Sequence, residues 1–146
     1  MDVSKELIRS IVEKVLAESA GTAVPAEPYK EKDPSGIIKI TTDKVEAERF
    51  GQDGVYLKDV VTLEEAPRMG AGLMELKDGT SFEWTLTYDE YDCVVEGTLE
   101  IEINGNVLTA KPGEIIYIPK GRHIHFQTPN YAKYWYFVYP ANWAEL

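Results

Sequence analysis

Two pairs of side chains have the types and the spacing for chemistry. Glu90 and Asp92 stand two apart in YDEYDCVVEG, and His123 and His125 stand two apart in GRHIHFQ. In an extended strand residues two apart share a face, so each pair presents both of its groups on one side. Paired carboxylates can hold Mg2+, which takes oxygen ligands and bridges phosphates. Left without a cation, they raise each other's pKa. An H-x-H pair on a strand is the beginning of a Zn2+ or Ni2+ site, but needs further ligands. Glu83 and Thr85 repeat the spacing upstream. Trp84, Tyr88 and Tyr91 add aromatic surface beside the carboxylates, suited either to a base or acyl slot or to core packing. The sequence contains no G-x4-G-K-[ST] phosphate loop.

Strands must carry these pairs, and the sequence supplies them from Ile37 onward. Ile37–Thr41, Val55–Val61 and Ala71–Leu76 are short apolar-rich runs between turn residues. In Thr98–Ile103, Leu99, Ile101 and Ile103 alternate with Glu100 and Glu102, the pattern of a half-buried strand. Asn104-Gly105 tolerates the positive φ of a tight hairpin turn and leads into Val107-Leu108-Thr109. Lys111-Pro112-Gly113 and Pro119-Lys120-Gly121 are two further turns. They frame strands Ile115–Ile118 and His123–Gln127, and Tyr131–Tyr139 is a last aromatic strand. That strand is apolar at nearly every position, which predicts burial on both faces, in a sheet or across a homodimer. Short strands with no helix between them predict an all-β sandwich or barrel.

The first 36 residues differ in character. Val3, Leu7, Ile8, Ile11, Val12, Val15 and Leu16 have helical spacing, so residues 1–20 are predicted to form an amphipathic helix. Residues 21–36 hold three prolines and two glycines and read as a linker. Residues 37–146 form the main domain. The helix stripe needs a surface, on its own domain, across a dimer, or on another protein. Of the net charge of −10, residues 1–35 contribute five basic and seven acidic groups, and the rest comes from the domain. That balance disfavours nucleic acid and anionic membrane as partners. With no long apolar run and no signal-peptide pattern, a cytoplasmic protein is expected. Cys93 is the only cysteine, so no intramolecular disulfide can form.

The stretch Gly79-TSFEWTLTYDE-YDCVVE-Gly97 resembles the first motif of the cupin barrels, with Glu90 at the motif's glutamate. Gly113-EIIYI-Pro119-Lys120-Gly121 resembles the second. The likeness implies a cupin double-stranded β-helix, a jelly roll with Glu90, Asp92 and Val94 pointing inward. The motif's metal-binding histidines are missing. Counted back from Glu90 their first pair of positions holds Glu83 and Thr85, which would then face the pocket. Counted forward from Gly79 it holds Thr85 and Thr87. The second motif's His and Asn positions hold Ile124 and Thr128. His123 and His125 flank Ile124 and so belong to the opposite face. No tightly bound transition metal is expected at the usual cupin site. Arg68, Lys133 and Lys77 are the candidate cations to answer a buried carboxylate pair. The alternative is a network with Tyr and Thr hydroxyls that carries no chemistry.

WTLTYDEYDCVVEGTLEI, KPGEIIYIPKGRHIHFQTP and the terminal YPANW are together similar to the EutQ family of ethanolamine-utilisation proteins. The likeness continues upstream through LIRSIVEKVLAE, GIIKITTDKVEAERF and VYLKDVVT. It implies a setting in ethanolamine catabolism within a bacterial microcompartment. It also implies acetate kinase activity, ATP and acetate to and from ADP and acetyl phosphate, with Mg2+ accompanying ATP. Glu90 and Asp92 would then be catalytic, with Glu83, Thr85, Trp84 and Tyr88 lining the substrate pocket. The N-terminal helix would contact shell or core proteins of the compartment. A non-catalytic assembly protein and a metal-independent small-molecule binder are the alternative functions.

Overall fold

The computed structural model describes residues 27–145. The predicted helix 1–20 and the first part of the predicted linker lie outside them. Two compact units divide the chain, with the boundary between Lys44 and Val45.

In the first unit, β1 (Lys30–Lys32) pairs antiparallel with β2 (Ile38–Ile40). Residues read as linker therefore include a strand. Asp33, Pro34, Ser35 and Gly36 make the turn between them: Ser35 N–H donates to Asp33 Oδ2 at 2.8 Å, and Gly36 N–H donates to the Asp33 carbonyl. Turn-forming composition marked a hairpin here, not a free tether.

The second unit is a two-sheet jelly roll. Its strands are β3 (Glu48–Arg49), β4 (Val55–Asp59), β5 (Gly70–Leu76), β6 (Ser81–Thr85) and β7 (Asp89–Gly97). They continue with β8 (Leu99–Ile103), β9 (Asn106–Ala110), β10 (Ile115–Ile118), β11 (His123–Gln127) and β12 (Ala132–Tyr139). One sheet has the order β10-β7-β12-β5-β4-β3 and the other β6-β11-β8-β9. All the pairings are antiparallel. The expected Asn104-Gly105 turn is present: both residues have positive φ, and Ile103 pairs with Asn106 across it.

Period-two alternation builds the core between the sheets. Val94, Tyr134, Tyr136, Met74 and Leu76 come from the six-stranded sheet, and Phe82, Ile124, Phe126, Leu99 and Ile101 from the four-stranded one. The last strand alternates in the same way. Its inner residues Ala132, Tyr134, Tyr136 and Val138 are buried, whereas Lys133 and Trp135 are half-buried and Phe137 and Tyr139 exposed. Among the described residues β12 is covered on one face, and the other is the face expected to be covered across a homodimer.

Gly97 ends β7 where the chain must double back. Its φ is +73°, and a Cβ there would collide with the carbonyl of Tyr131, the group that accepts the Thr98 N–H at 2.8 Å. Backbone, unlike a flexible side chain, has no room to yield. Gly97→Ala is therefore expected to destabilise the domain by more than the roughly 1 kcal/mol that positive φ alone costs, read as a fall in Tm. An unchanged Tm would rule out this close approach.

Candidate active site in the barrel

The inward face of β7 carries Glu90, Asp92 and Val94, and all three are buried. Glu90 pairs laterally with Ile118 of β10 and Val138 of β12, and Asp92 with Ile116 and Tyr136. A strand central in its sheet and covered by a second sheet leaves these carboxyl groups no direct route to water. Asp92 is fully buried, and neither of its oxygens has a hydrogen-bond partner. The hydroxyl of Tyr134, also fully buried, is likewise unpaired.

Burial is the first cause of the pair's acid–base behaviour. It pushes the Glu90 carboxyl up to about 7, while contact with Asp92 favours the ionised form. Asp92 is raised well above the ordinary carboxylate range by burial first, and then by the charge of Glu90 beside it. The absence of any donor to Asp92 and the upward direction of both groups agree on one arrangement. Two ionised carboxylates cannot hydrogen-bond to each other, but a protonated one donates to its neighbour. The pair holds a proton.

The expected cations do not answer it. Lys77 Nζ lies 4.7 Å from the centre of the Tyr56 ring. Arg68 is exposed in the approach to β5, and Lys133 stands on the outer face of β12. Tyrosines surround the pair instead. Tyr134 is raised well above its usual pKa by burial and by the charges of Asp92 and Glu90. Tyr88, raised by burial and then by Glu90, accepts a 2.8 Å hydrogen bond from Trp84 Nε1–H. Tyr136 donates to Asp59, whose carboxyl is raised by burial against the barrel rim.

That last contact depends on a missing side chain. Gly72 pairs with Tyr136 on one side and Asp59 on the other, so the phenol crosses β5 directly over it. A Cβ at 72 would meet the Tyr136 ring and come within 2.7 Å of the Lys58 carbonyl.

A cavity of about 30 Å³ adjoins Glu90, walled by Leu57, Met74, Phe82, Phe126 and Val138 among others. Roughly two water-sized groups fit in that volume. Phe50, Trp84 and Trp143 close it, with Trp84 and Trp143 edge to face at 6.0 Å. The same three rings form one wall of an open cleft of about 660 Å³ outside the barrel.

Glu83 and Thr85 lie in that outer cleft, and this corrects the register that would turn them inward. Phe82 and Trp84 take the inner face of β6, while Glu83 and Thr85 are exposed. His123 and His125 share their outer side, opposite the inward Ile124 and Phe126. The structure thus brings together Glu90, Asp92, Tyr88 and Trp84, and separates Glu83 and Thr85 from them. Asp59, Tyr134, Tyr136, Phe50 and Trp143 were missed. Alternation in Val55-x-Leu57-x-Asp59 was a usable signal for Asp59. Nothing local marks Phe50 or Trp143, which reach the site through tertiary packing.

A sandwich of two antiparallel sheets in this strand order, with the glycine turns of both motifs and a closed inner pocket, is a cupin. Its fold matches that of an RmlC-like cupin from Shewanella frigidimarina, with a TM-score of 0.59 over 71% of this chain and 91% of that one at 15% identity. The sequence model of the family described as ethanolamine utilisation protein EutQ matches residues 3–145, and the chain belongs to that family. It is 47% identical to "Acetate kinase EutQ" of Clostridioides difficile strain 630, over 99% of this chain and 98% of that protein. It is 37% identical to "Acetate kinase EutQ" of Salmonella typhimurium, spanning 65% of that longer protein. The solved structure of the C. difficile EutQ protein superposes with a TM-score of 0.76 at 46% identity, covering 82% of this chain and 92% of that one.

The carboxyl pair gives stability a definite dependence on pH. Unfolded, these groups ionise near their ordinary values, whereas in the fold their pKa values are raised. From about pH 4 to pH 7 the folded chain therefore binds more protons, and stability falls as pH rises through that window. Asp92→Asn removes one ionisation, so its Tm should exceed that of the unsubstituted protein at pH 8, with the difference shrinking toward pH 4. A difference that grows toward pH 4 would mean the pair is not protonated as described.

Proposed function

We propose that the protein interconverts ATP and acetate with ADP and acetyl phosphate, with acetate bound in the barrel cavity beside Glu90. The observation that carries this reading is the 47% identity, over 98% of its length, to a protein named acetate kinase. The cavity supports it. About 30 Å³ with apolar walls suits a two-carbon acid and is far too small for a nucleotide. A bare carboxylate would repel acetate, but below about pH 7 Glu90 carries its own proton and can donate a hydrogen bond to the anion. Phe50, Trp84 and Trp143 separate this cavity from the outer cleft, whose size and aromatic wall suit the nucleotide. In this reading the three rings part to let the terminal phosphate meet the acetate oxygen.

The inner pair does not fit a resident Mg2+. That ion needs near-octahedral oxygen coordination and keeps several waters. The cavity is apolar and holds two water-sized groups. Glu83, the expected third carboxylate, is on the other side of β6, and no group of three acidic, His or Cys side chains is placed to hold a metal among the described residues. Mg2+ in this reading travels with the nucleotide, and no step is assigned to it on Glu90 or Asp92.

The test is acetyl phosphate formation by the purified chain, trapped as its hydroxamate. Turnover should fall as pH rises past about 7, where Glu90 loses its proton. Glu90→Leu removes the donor and should raise KM for acetate about tenfold or more, the loss of one hydrogen bond to a charged group. Glu90→Gln keeps a donor, so it should bind acetate and lose the pH dependence. Absence of product from the unsubstituted protein would end the kinase reading. An unchanged KM in Glu90→Leu would remove Glu90 from it.

The outer face of the six-stranded sheet supports a homodimer within the same proposal. Tyr91, Tyr117, Phe137 and Tyr139 are exposed together, with Tyr91 paired to both Tyr117 and Phe137 and its ring 4.9 Å from that of Tyr117. A patch of this kind marks an interaction surface. Light scattering should give twice the 16.5 kDa chain mass, and Phe137→Glu should halve it. A single-chain mass at every concentration would refute the dimer.

A further inference from the structure

The outer cleft contains an arrangement that the barrel site does not use. His123 of β11 lies directly opposite Thr85 of β6, and its ring is held at both nitrogens. Nδ1 is hydrogen-bonded to the Thr85 hydroxyl, and Nε2 to a carboxylate oxygen of Glu83. Thr85 and Glu83 are two apart on one strand, so the pleat aims both at the same imidazole.

The carboxylate fixes the proton. An ionised Glu83 only accepts hydrogen bonds, so Nε2 of the neutral ring must carry the hydrogen. Nδ1 is then a bare lone pair, and the Thr85 hydroxyl donates to it. Hydroxyl, imidazole and carboxylate therefore follow in the order that activates a hydroxyl for nucleophilic attack, recognised by geometry and not by fold. A second carboxylate steadies the neighbouring histidine: His125 Nδ1 is 2.8 Å from Glu102 Oε2. Glu83, Thr85 and His123 all line the cleft, with Thr87, Trp84 and Trp143 beside them, so the relay opens onto space for a reactant.

We infer that Thr85, His123 and Glu83 form a second reactive centre that takes an acyl group from an activated acyl donor, an acyl phosphate or an aryl ester. In the step, Thr85 Oγ1 attacks the acyl carbon while His123 Nδ1 takes the hydroxyl proton. The bond from the acyl carbon to its leaving oxygen breaks, and phosphate or phenolate departs with that electron pair. The product is an ester on Thr85. His123 passes its proton to the departing group or to solvent; water can then attack the ester with the neutral His123 as base, and the proton it takes is returned to Thr85 Oγ1 as the ester bond breaks, restoring the hydroxyl and releasing the acid. This centre is independent of the kinase reading and of Glu90.

The probe is p-nitrophenyl acetate, followed by release of nitrophenolate and by peptide mass spectrometry of the full chain. The expected result is one acetyl group on Thr85, formed at least tenfold faster than in His123→Asn. Thr85→Val should abolish the ester. Thr85→Ser should retain it, and Glu83→Gln should slow it. Far-UV circular dichroism of each variant separates loss of the relay from loss of fold. Labelling of Thr85 at the same rate in His123→Asn would overturn the inference, as would acetylation of the unsubstituted protein only at lysines. Failure of acetyl phosphate synthesis by the same preparation would end the kinase reading and leave this one standing.

Discussion

Two carboxyl groups side by side in a dry barrel cannot both be charged. Transfer of one carboxylate out of water is already expensive, and a second adds repulsion that the low-dielectric interior does not screen. The strand pairing around β7 removes the ordinary remedies. Its inner neighbours are isoleucine, valine and tyrosine, none of which supplies a cation. What remains is protonation, and much follows from it. The apolar cavity wall stays compatible with the acids beside it, while the surrounding phenols are kept neutral first by their own burial.

Maintaining such a pair requires that the rest of the barrel be well determined. The period-two pattern of the strands does this along β6, β11 and β7 as far as Val94, after which β7 shifts its register against β12. On β6 and β11 it assigns Phe82, Trp84, Ile124 and Phe126 to the interior and Glu83, Thr85, His123 and His125 to the outside. Four polar side chains thus meet one another on the solvent face, each one residue away from a core that accommodates none of them. A departure from simple packing is at Gly72, where an absent side chain lets Tyr136 span from β12 to Asp59 on β4.

Much of this was legible from residue order, and the parts that were not have a common cause. Turns announced themselves, since Asn104-Gly105 and the glycines of both motifs have local backbone requirements that few residues meet. The burial of Glu90, Asp92 and Val94 followed from alternation once one of them was oriented. The direction of Glu83 and Thr85 did not, because the turn between β6 and β7 sets the phase of the pleat, and the motif allowed more than one spacing across it. A strand at Lys30–Lys32 was hidden by proline and charge, which suit a hairpin as well as a tether. That no cation among the described residues answers the pair was invisible too. Arg68, Lys77 and Lys133 are placed by contacts distant in sequence, and composition cannot say which way they reach.

The aromatic wall between cavity and cleft also makes the molecule its own optical instrument. The chain has three tryptophans. Trp84 and Trp143 belong to that wall, close enough for their transitions to couple, while Trp135 sits half-buried on the outer face of β12. Near-ultraviolet dichroism will be dominated by the coupled pair and will change when those rings separate. Emission sums all three, and Trp135 alone of them faces what covers the outer side of the sheet. Substituting Trp135 therefore separates the signal of that face from the signal of the wall.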